Sequence, residues 1–483
     1  MASGGRPWWR AAVLYQIYVR SFADSDGDGV GDLPGIVQRL DYLEWLGVDA
    51  LWLTPVTVSP DKDWGYDVAD YMDVQPAFGG MTAFDELVAA AAAHDIKVVV
   101  DLVPNHTSDR HPWFEEARAS RTAARRDWYV WADPKPDGSP PNNWRSSFGG
   151  GPAWTLDERT GQYYLHNFLP EQPDLNWWNP GVREAFDDIL RFWLERGVAG
   201  FRINVANGIV KDRELRDNPD PAVATYNSDR DEVHDVLRAW RRLVSGYSPE
   251  RILLGETWVM ELDRLARFYG SGEDELHLAF NFPFAFSALA AEELRDVVET
   301  TEALLPERAW PVWTLSNHDL GRFPTRMCGG DERKARAALT LLLTLRGTPV
   351  LYYGDELAMP QADVPPERER DMAGRDGART PMPWNSGWRD PWLPAVTDVR
   401  SVEQQRQDRG SFLSFCRDLI ARRRASADLI EGVYERLPAP AGVWAFRRGE
   451  HTAVAVNLSD KPAQVDLGEP RPLAPWEALI ADV

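Results

Sequence analysis

Eight short apolar runs, each followed by enough chain for a helix, constrain this sequence more than any other feature. They are Val13–Phe22, Val48–Thr54, Ile96–Leu102, Val198–Ile203, Ile252–Gly255, Leu276–Phe282, Val312–Ser316 and Pro349–Tyr353. Several of the intervals carry apolar residues three and four apart: Leu33–Leu46, Phe84–His94, Val182–Glu195, Glu232–Val244 and Arg333–Leu345. Strand and helix in steady alternation is the pattern of a parallel sheet, and eight such units close into a barrel. A doubly wound open sheet is the alternative, but no glycine-rich phosphate loop follows the first run. The expected fold class is α/β, a (β/α)8 TIM barrel.

Two stretches break the rhythm. Residues 107–180 are rich in Trp, Pro, Gly and Asn without a long helical period, which reads as an irregular domain inserted after the third strand. The barrel then comprises 1–106 and 181–425, ending in a helix at about Glu403–Arg424. Beyond it, Val433–Arg436, Val443–Arg448, Thr452–Leu458 and Ala463–Leu467 alternate between Pro/Gly turns, so 426–483 are expected to form a C-terminal β domain.

Composition narrows the partners. Of 483 residues, 44% are hydrophobic, enough for a sizeable core, while 53 basic against 75 acidic side chains give a net charge of −22. Such a surface repels phosphate backbones and anionic lipid, so neither nucleic acid nor membrane is an expected partner; a neutral substrate or a bound cation fits. Cys328 and Cys416 make no disulfide framework. The start, MASGGRPWWRAAVLYQ, has no secretory pattern, and no apolar run approaches the ~20 residues of a membrane span. A cytoplasmic protein is expected, with its oligomeric state open. The 22 tryptophans suit a core and equally suit stacking on sugar faces.

Chemistry in such barrels gathers where the strands end. DLVPNH brings Asp101, Asn105 and His106; GFRINV brings Arg202 and Asn204; ILLGETW brings Glu256; TLSNHD brings His318 and Asp319. One polar strand end could cap a helix. Four together point to a site.

These segments, in this order, resemble the four signature segments of the α-amylase family, glycoside hydrolase family 13. QPDLNW (172–177) is similar to a fifth, and WGYDVADY (64–71) to the family's sugar-binding loop after strand two. The resemblance implies the barrel, the inserted domain, a C-terminal β-sandwich, and retaining cleavage or transfer of α-glucosidic bonds. It also implies an aspartate nucleophile where this chain has Asn204, with Glu256 as general acid/base and Asp319 as the third carboxylate. In a retaining reaction one ionised carboxylate attacks the sugar while the other donates and then recovers a proton. A neutral amide is a far poorer nucleophile, so this chain is expected to bind substrate and turn over very slowly. Two origins fit the amide: a replacement made to trap a complex, or natural loss of the chemistry. Retention of Glu256 and Asp319 favours the first. A glucosyltransferase or isomerase on the same scaffold and a non-catalytic sugar-binding relative are the alternatives.

Other contacts follow from the resemblance residue by residue. Tyr66 is expected to stack on the terminal glucose, with Asp67, His106 and His318 reaching its hydroxyls and Arg202 orienting the side chain at 204. GRDGARTPMPWN (374–385) resembles the oligo-1,6-glucosidase and α-glucosidase branch, where the match to Arg379 works with Asp67 to close an exo-acting pocket. Arg375 lies close enough to compete for that assignment. Phe148 and Phe168 are expected as aromatic walls, and Gln172 near the leaving group. Val205 and QPDLN resemble enzymes that accept α-1,6 bonds, and the loop Asn207–Arg230 is expected to shape the leaving-group side.

DSDGDGVGD (24–32) spaces Asp24, Asp26, Asp28 and Asp32 at positions one, three, five and nine of a calcium loop, with the Val30 carbonyl at seven. Gly35 at position twelve excludes an EF-hand. Four carboxylates this close repel one another unless a cation sits among them. The family branch has a similar loop that holds calcium structurally, and magnesium fits the same donors.

Overall fold

The computed structural model describes residues 6–483 apart from 386 and 398. Eight parallel strands form one sheet: β1 (Leu14–Ile17), β2 (Ala50–Leu53), β3 (Lys97–Leu102), β4 (Gly200–Ile203), β5 (Ile252–Gly255), β6 (Leu278–Ala279), β7 (Val312–Thr314) and β8 (Thr348–Tyr352). Neighbours in sequence pair in parallel, β8 pairs with β1, and a parallel bridge from Phe280 to Val312 joins β6 to β7 and closes the barrel. Their residues are almost all buried, as strands covered on both faces must be.

The helices begin and end where local chemistry dictates. Asn179 caps Pro180–Glu195 by accepting from the Gly181 N–H, with proline in the first turn, and Asp331 caps Glu332–Thr344 through Arg333. The continuous helix expected over Leu33–Leu46 is two, Leu33–Val37 and Leu40–Leu46, because Gln38 and Arg39 turn the chain between them. Glu403–Arg424 likewise divides into Val402–Arg406 and Phe412–Ala425, each opened by its own serine cap. Helix Ala291–Leu304, between β6 and β7, packs Leu294 and Val298 inward.

The stretch after β3 carries a small antiparallel sheet of Trp131–Ala132, Trp154–Asp157 and Gln162–Leu165. Trp177 ties this region to the barrel: its indole is buried among Phe186 and Trp240, and its N–H donates to the Pro104 carbonyl at 2.8 Å. The C-terminal region forms one sheet of Tyr434–Leu437, Val443–Arg448, Thr452–Asn457 and Ala478–Asp482, and a second of Ala463–Asp466 with Pro470–Leu473. The strands at 470 and 478 carry no regular alternation, so the sequence pattern did not mark them. Among the described residues no helix is long and apolar enough to cross a membrane.

Trp177→Ala is expected to lower unfolding free energy by about 3–5 kcal/mol, the cost of emptying a large buried aromatic site, measured by urea denaturation. A loss below about 1 kcal/mol would mean the indole is not part of the packed junction.

Candidate active site

The segments that follow β2, β3, β4, β5, β7 and β8 converge on one cavity of about 570 Å³, whose wall includes Asn204, Glu256 and Asp319 together with Tyr66, His106, Phe148, Phe168, Asp63 and Arg375. Asn204 follows β4 directly, Glu256 follows β5, and Asp319 lies beyond β7. The convergence is a property of barrel closure, since these residues are far apart in the chain.

Arg202, on β4, occupies the floor. Its guanidinium is fully buried and meets Asp101 and Glu256, each at 2.9 Å, with the Trp52 ring 4.9 Å away. Burial opposes its charge, but Asp101 and Glu256 outweigh burial and raise its pKa above the ordinary arginine value. The expected pairing of Arg202 with position 204 is therefore replaced by pairing with Asp101 and Glu256, across to the neighbouring strands on both sides.

Glu256 is ringed by donors. Oε1 accepts from the Trp258 indole at 2.9 Å and meets Arg202; Oε2 accepts from the Asn204 amide at 3.0 Å and from the Val205 main-chain N–H at 2.8 Å. Val205 stands in the left-handed region at φ +47°, a conformation that costs a β-branched residue of order 1–3 kcal/mol and is held here by its surroundings. Asn204 is 7% exposed, and its Oδ1 has no hydrogen-bond partner among the described residues.

Asp319 accepts from Arg375 at 2.8 Å and Arg379 at 3.0 Å, and lies 3.2 Å from His318 Nε2. Burial opposes the charge on Asp319, but the Arg375 and Arg379 guanidiniums hold its carboxyl well below the usual carboxylate range. His318 is itself buried: Nδ1 faces the Gln16 amide at 2.7 Å, and Nε2 faces the Tyr66 hydroxyl at 2.5 Å. Burial holds its pKa well below the ordinary histidine value. Tyr66 stacks on His318 with ring centroids 5.3 Å apart and donates to Asp101.

Several expected contacts sit elsewhere. Asp67 does not line the cavity. It is turned inward, accepting from Ser59 and from the Lys62 and Asp63 main-chain N–H groups. Asp63 holds the cavity position instead, paired with Arg375 at 2.7 Å. Arg379 is fully buried behind Asp319 and donates to the His318 carbonyl, so the pair that joins the β2 and β8 loops is Asp63–Arg375 rather than Asp67–Arg379. The sequence held both acids and both arginines within four residues of each other, and only the turn geometry separates them. Gln172, expected near the leaving group, is not part of the cavity wall: its amide donates to Asp63 and to the Tyr66 carbonyl, beside His106 Nε2. His318 likewise backs the wall rather than forming it, whereas His106 does line the cavity. Asn207 and Ser228, from the loop expected to shape the site, line it too, as does Trp258, for which a tryptophan two residues after Glu256 is the one sequence signal.

The DSDGDGVGD loop brings Asp24, Asp26 and Asp28 together, with potential ligand oxygens within 4.8 Å of one another. Asp32 stands apart from this group: it caps Leu33–Val37 through the Gly35 N–H and accepts from Ser25. The four-carboxylate loop is thus a three-carboxylate loop, because the fourth acid is committed to the helix. The Val30 main-chain N–H donates to Asp28 at 2.8 Å. Gly29, at φ +91°, admits the Asp390 carbonyl where a Cβ would meet it at 2.4 Å.

The fold and this arrangement of residues define an α-amylase-type catalytic barrel. A family model described as "Alpha amylase, catalytic domain" matches residues 16–432, and the chain belongs to that glycosidase family. It is 42% identical over 505 aligned residues to a probable alpha-glucosidase of Rhizobium meliloti (strain 1021), covering 96% of this chain and 91% of that protein. It is 35% identical over 538 residues to an oligo-1,6-glucosidase of Heyndrickxia coagulans, covering 98% and 96%. Among solved structures, the alpha-glucosyl transfer enzyme XgtA superposes with a TM-score of 0.93 at 40% identity, covering 99% of each chain.

The Asp63/Asp67 exchange is testable in the Asn204→Asp background, through hydrolysis of an α-glucoside. There, Asp63→Ala is expected to lower kcat/KM about 10- to 100-fold, the range for losing a hydrogen bond to a charged partner, while Asp67→Asn changes it far less. Asp67 carries a different signature. Burial pushes its carboxyl up to about 6 against the three hydrogen bonds that lower it. The native state therefore binds more protons than the unfolded state between about pH 4 and 6, and stability falls as pH rises through that window. Asp67→Asn should remove that slope in pH-dependent denaturation; an unchanged slope refutes the assignment.

Proposed function

We propose that this chain is an exo-acting, retaining α-glucosidase of short α-glucosides whose turnover is restrained by Asn204. The observation that carries the reading is the Asp63–Arg375 ion pair in the wall of the cavity that Asn204, Glu256 and Asp319 also line. A pair that ties the loops after β2 and β8 together leaves a pocket for one terminal sugar rather than a through-going cleft. Its polar groups suit sugar hydroxyls, and Tyr66, Phe148 and Phe168 supply the apolar faces.

In the retaining mechanism the group at 204 attacks the anomeric carbon while Glu256 protonates the leaving oxygen; Glu256 then deprotonates the incoming water. Asp319, held ionised by Arg375 and Arg379, stabilises positive charge on the ring as the bond breaks. That Glu256 lines the same cavity as residue 204 supports this sequence, in which an amide at 204 is the one group unsuited to its step. Asn204→Asp is expected to raise hydrolysis of p-nitrophenyl α-glucoside, maltose or isomaltose on the order of a thousandfold or more, with glucose as the first product. A folded Asn204→Asp variant inert on all of these would overturn the reading.

Glucosyl transfer is the second reading, supported by the mouth of the cavity. Trp258 is 39% exposed, stacks on Phe282 at 4.2 Å, and neighbours the exposed Phe286. An apolar shelf beside Glu256 favours an organic acceptor over water, and product analysis of Asn204→Asp with added alcohols separates the two. The linkage preference and a cytoplasmic setting belong to the same proposal.

The DSDGDGVGD loop is proposed to hold Ca2+, with Mg2+ as the competing ion. Asp24, Asp26 and Asp28 offer the hard oxygen donors such ions take. The ion would neutralise three clustered charges. Its loop touches the segment that carries Trp392, which donates its main-chain N–H to the Gly29 carbonyl and packs on Trp64, next to Asp63. Chelation is expected to lower Tm by several degrees and to change tryptophan emission, both restored by Ca2+. No shift on chelation, with no divalent ion by elemental analysis, would remove the site.

A further inference from the structure

One oxygen of Glu256 contacts two nitrogens that trade places in a well-defined side reaction of asparagine. Oε2 accepts from the Asn204 side-chain amide at 3.0 Å and from the main-chain N–H of Val205 at 2.8 Å. When an asparagine deamidates, the main-chain nitrogen of the next residue attacks the side-chain carbonyl carbon and the amide nitrogen leaves. Both nitrogens here rest on the same base. We propose that Asn204 is a self-modification site: Glu256 promotes its conversion to aspartate, which supplies the missing nucleophile.

The step balances with water as the only co-reactant. The Val205 nitrogen forms a bond to Cγ of Asn204 and gives its proton to Glu256 Oε2. The Cγ–Nδ2 bond breaks, and ammonia departs with the proton that Glu256 returns. Water then opens the cyclic imide. Opening at Cγ leaves aspartate in the normal backbone, and opening at the main-chain carbonyl leaves isoaspartate. Glu256 ends as it began.

Three further observations support the assignment. Asn204 Oδ1 has no partner among the described residues, so the amide is held through its nitrogen alone and its carbonyl carbon is not fixed from the oxygen side. The residue lines the cavity, which gives water access for ring opening. The alternative target, Asn207 followed by Gly208, is sterically open in sequence, but its side chain is clamped: the amide donates to Ser228 at 2.9 Å and Oδ1 accepts from the Trp258 main-chain N–H at 3.1 Å. Geometry thus singles out the less open sequence.

The chemical claim stands on geometry alone, while the gain of function it confers rests on the glucosidase reading above. The experiment keeps the two apart. The unsubstituted protein is incubated at neutral pH in 18O-labelled water, sampled over days, and digested for peptide fragmentation by mass spectrometry, with α-glucoside hydrolysis followed in parallel. The expected result is an amide-to-acid mass change with one 18O at residue 204, rising together with activity from a near-zero start. Glu256→Gln should slow the mass change on the order of a hundredfold, the scale of a lost general base, and its thermal unfolding verifies that it is folded. Conversion confined to Asn207, no conversion at either residue, or conversion at 204 unaffected by Glu256→Gln would each overturn the proposal. Conversion at 204 without activity, with Asn204→Asp also inert, would leave the modification standing and refute the glucosidase reading instead.

Discussion

The buried guanidinium of Arg202 is the charge around which the rest of the site is arranged. A cation removed from water is costly unless anions and hydrogen bonds compensate it, and Asp101 on β3 and Glu256 after β5 do so from either side of β4. The arginine can reach both only if β3, β4 and β5 lie parallel and in register, as their pairing has it. The same contact fixes Glu256, which in turn collects the Trp258, Val205 and Asn204 donors. The barrel holds the charge in place, and the charge sets the position of the acid/base.

A second cluster of compensated charge lies on the other side of the cavity. Asp319, Asp63 and Asp371 surround Arg375, and Arg379 reinforces Asp319 from behind. The loops after β2, β7 and β8 meet there, so the pocket wall is made from segments with no local reason to adopt one shape. Ion pairs of this kind gain strength from exclusion of water, and Phe148 over Arg375 contributes to that exclusion.

Asn204 fits this framework as an amide fits between a carboxylate and a barrel strand. It donates to Glu256 where a second carboxylate would repel it, so the resting site is free of like-charge contact at that point. The chain belongs to a family of glycosidases.

The sequence by itself determined the barrel, because eight buried strands must read as apolar runs and the helices between them must show a three- to four-residue period. It also marked Glu256, Asp319 and the amide at 204, since strand ends converge in any closed barrel. It did not resolve Asp63 from Asp67 or Arg375 from Arg379: each pair lies within one turn of chain, and which member faces the cavity depends on loops packed from distant segments. The same is true of Asp32, whose spacing fits a cation loop but whose carboxylate is taken by the helix that starts beside it. Local pattern decides what a segment becomes, whereas the direction of a loop side chain is decided by the neighbours that tertiary packing brings to it.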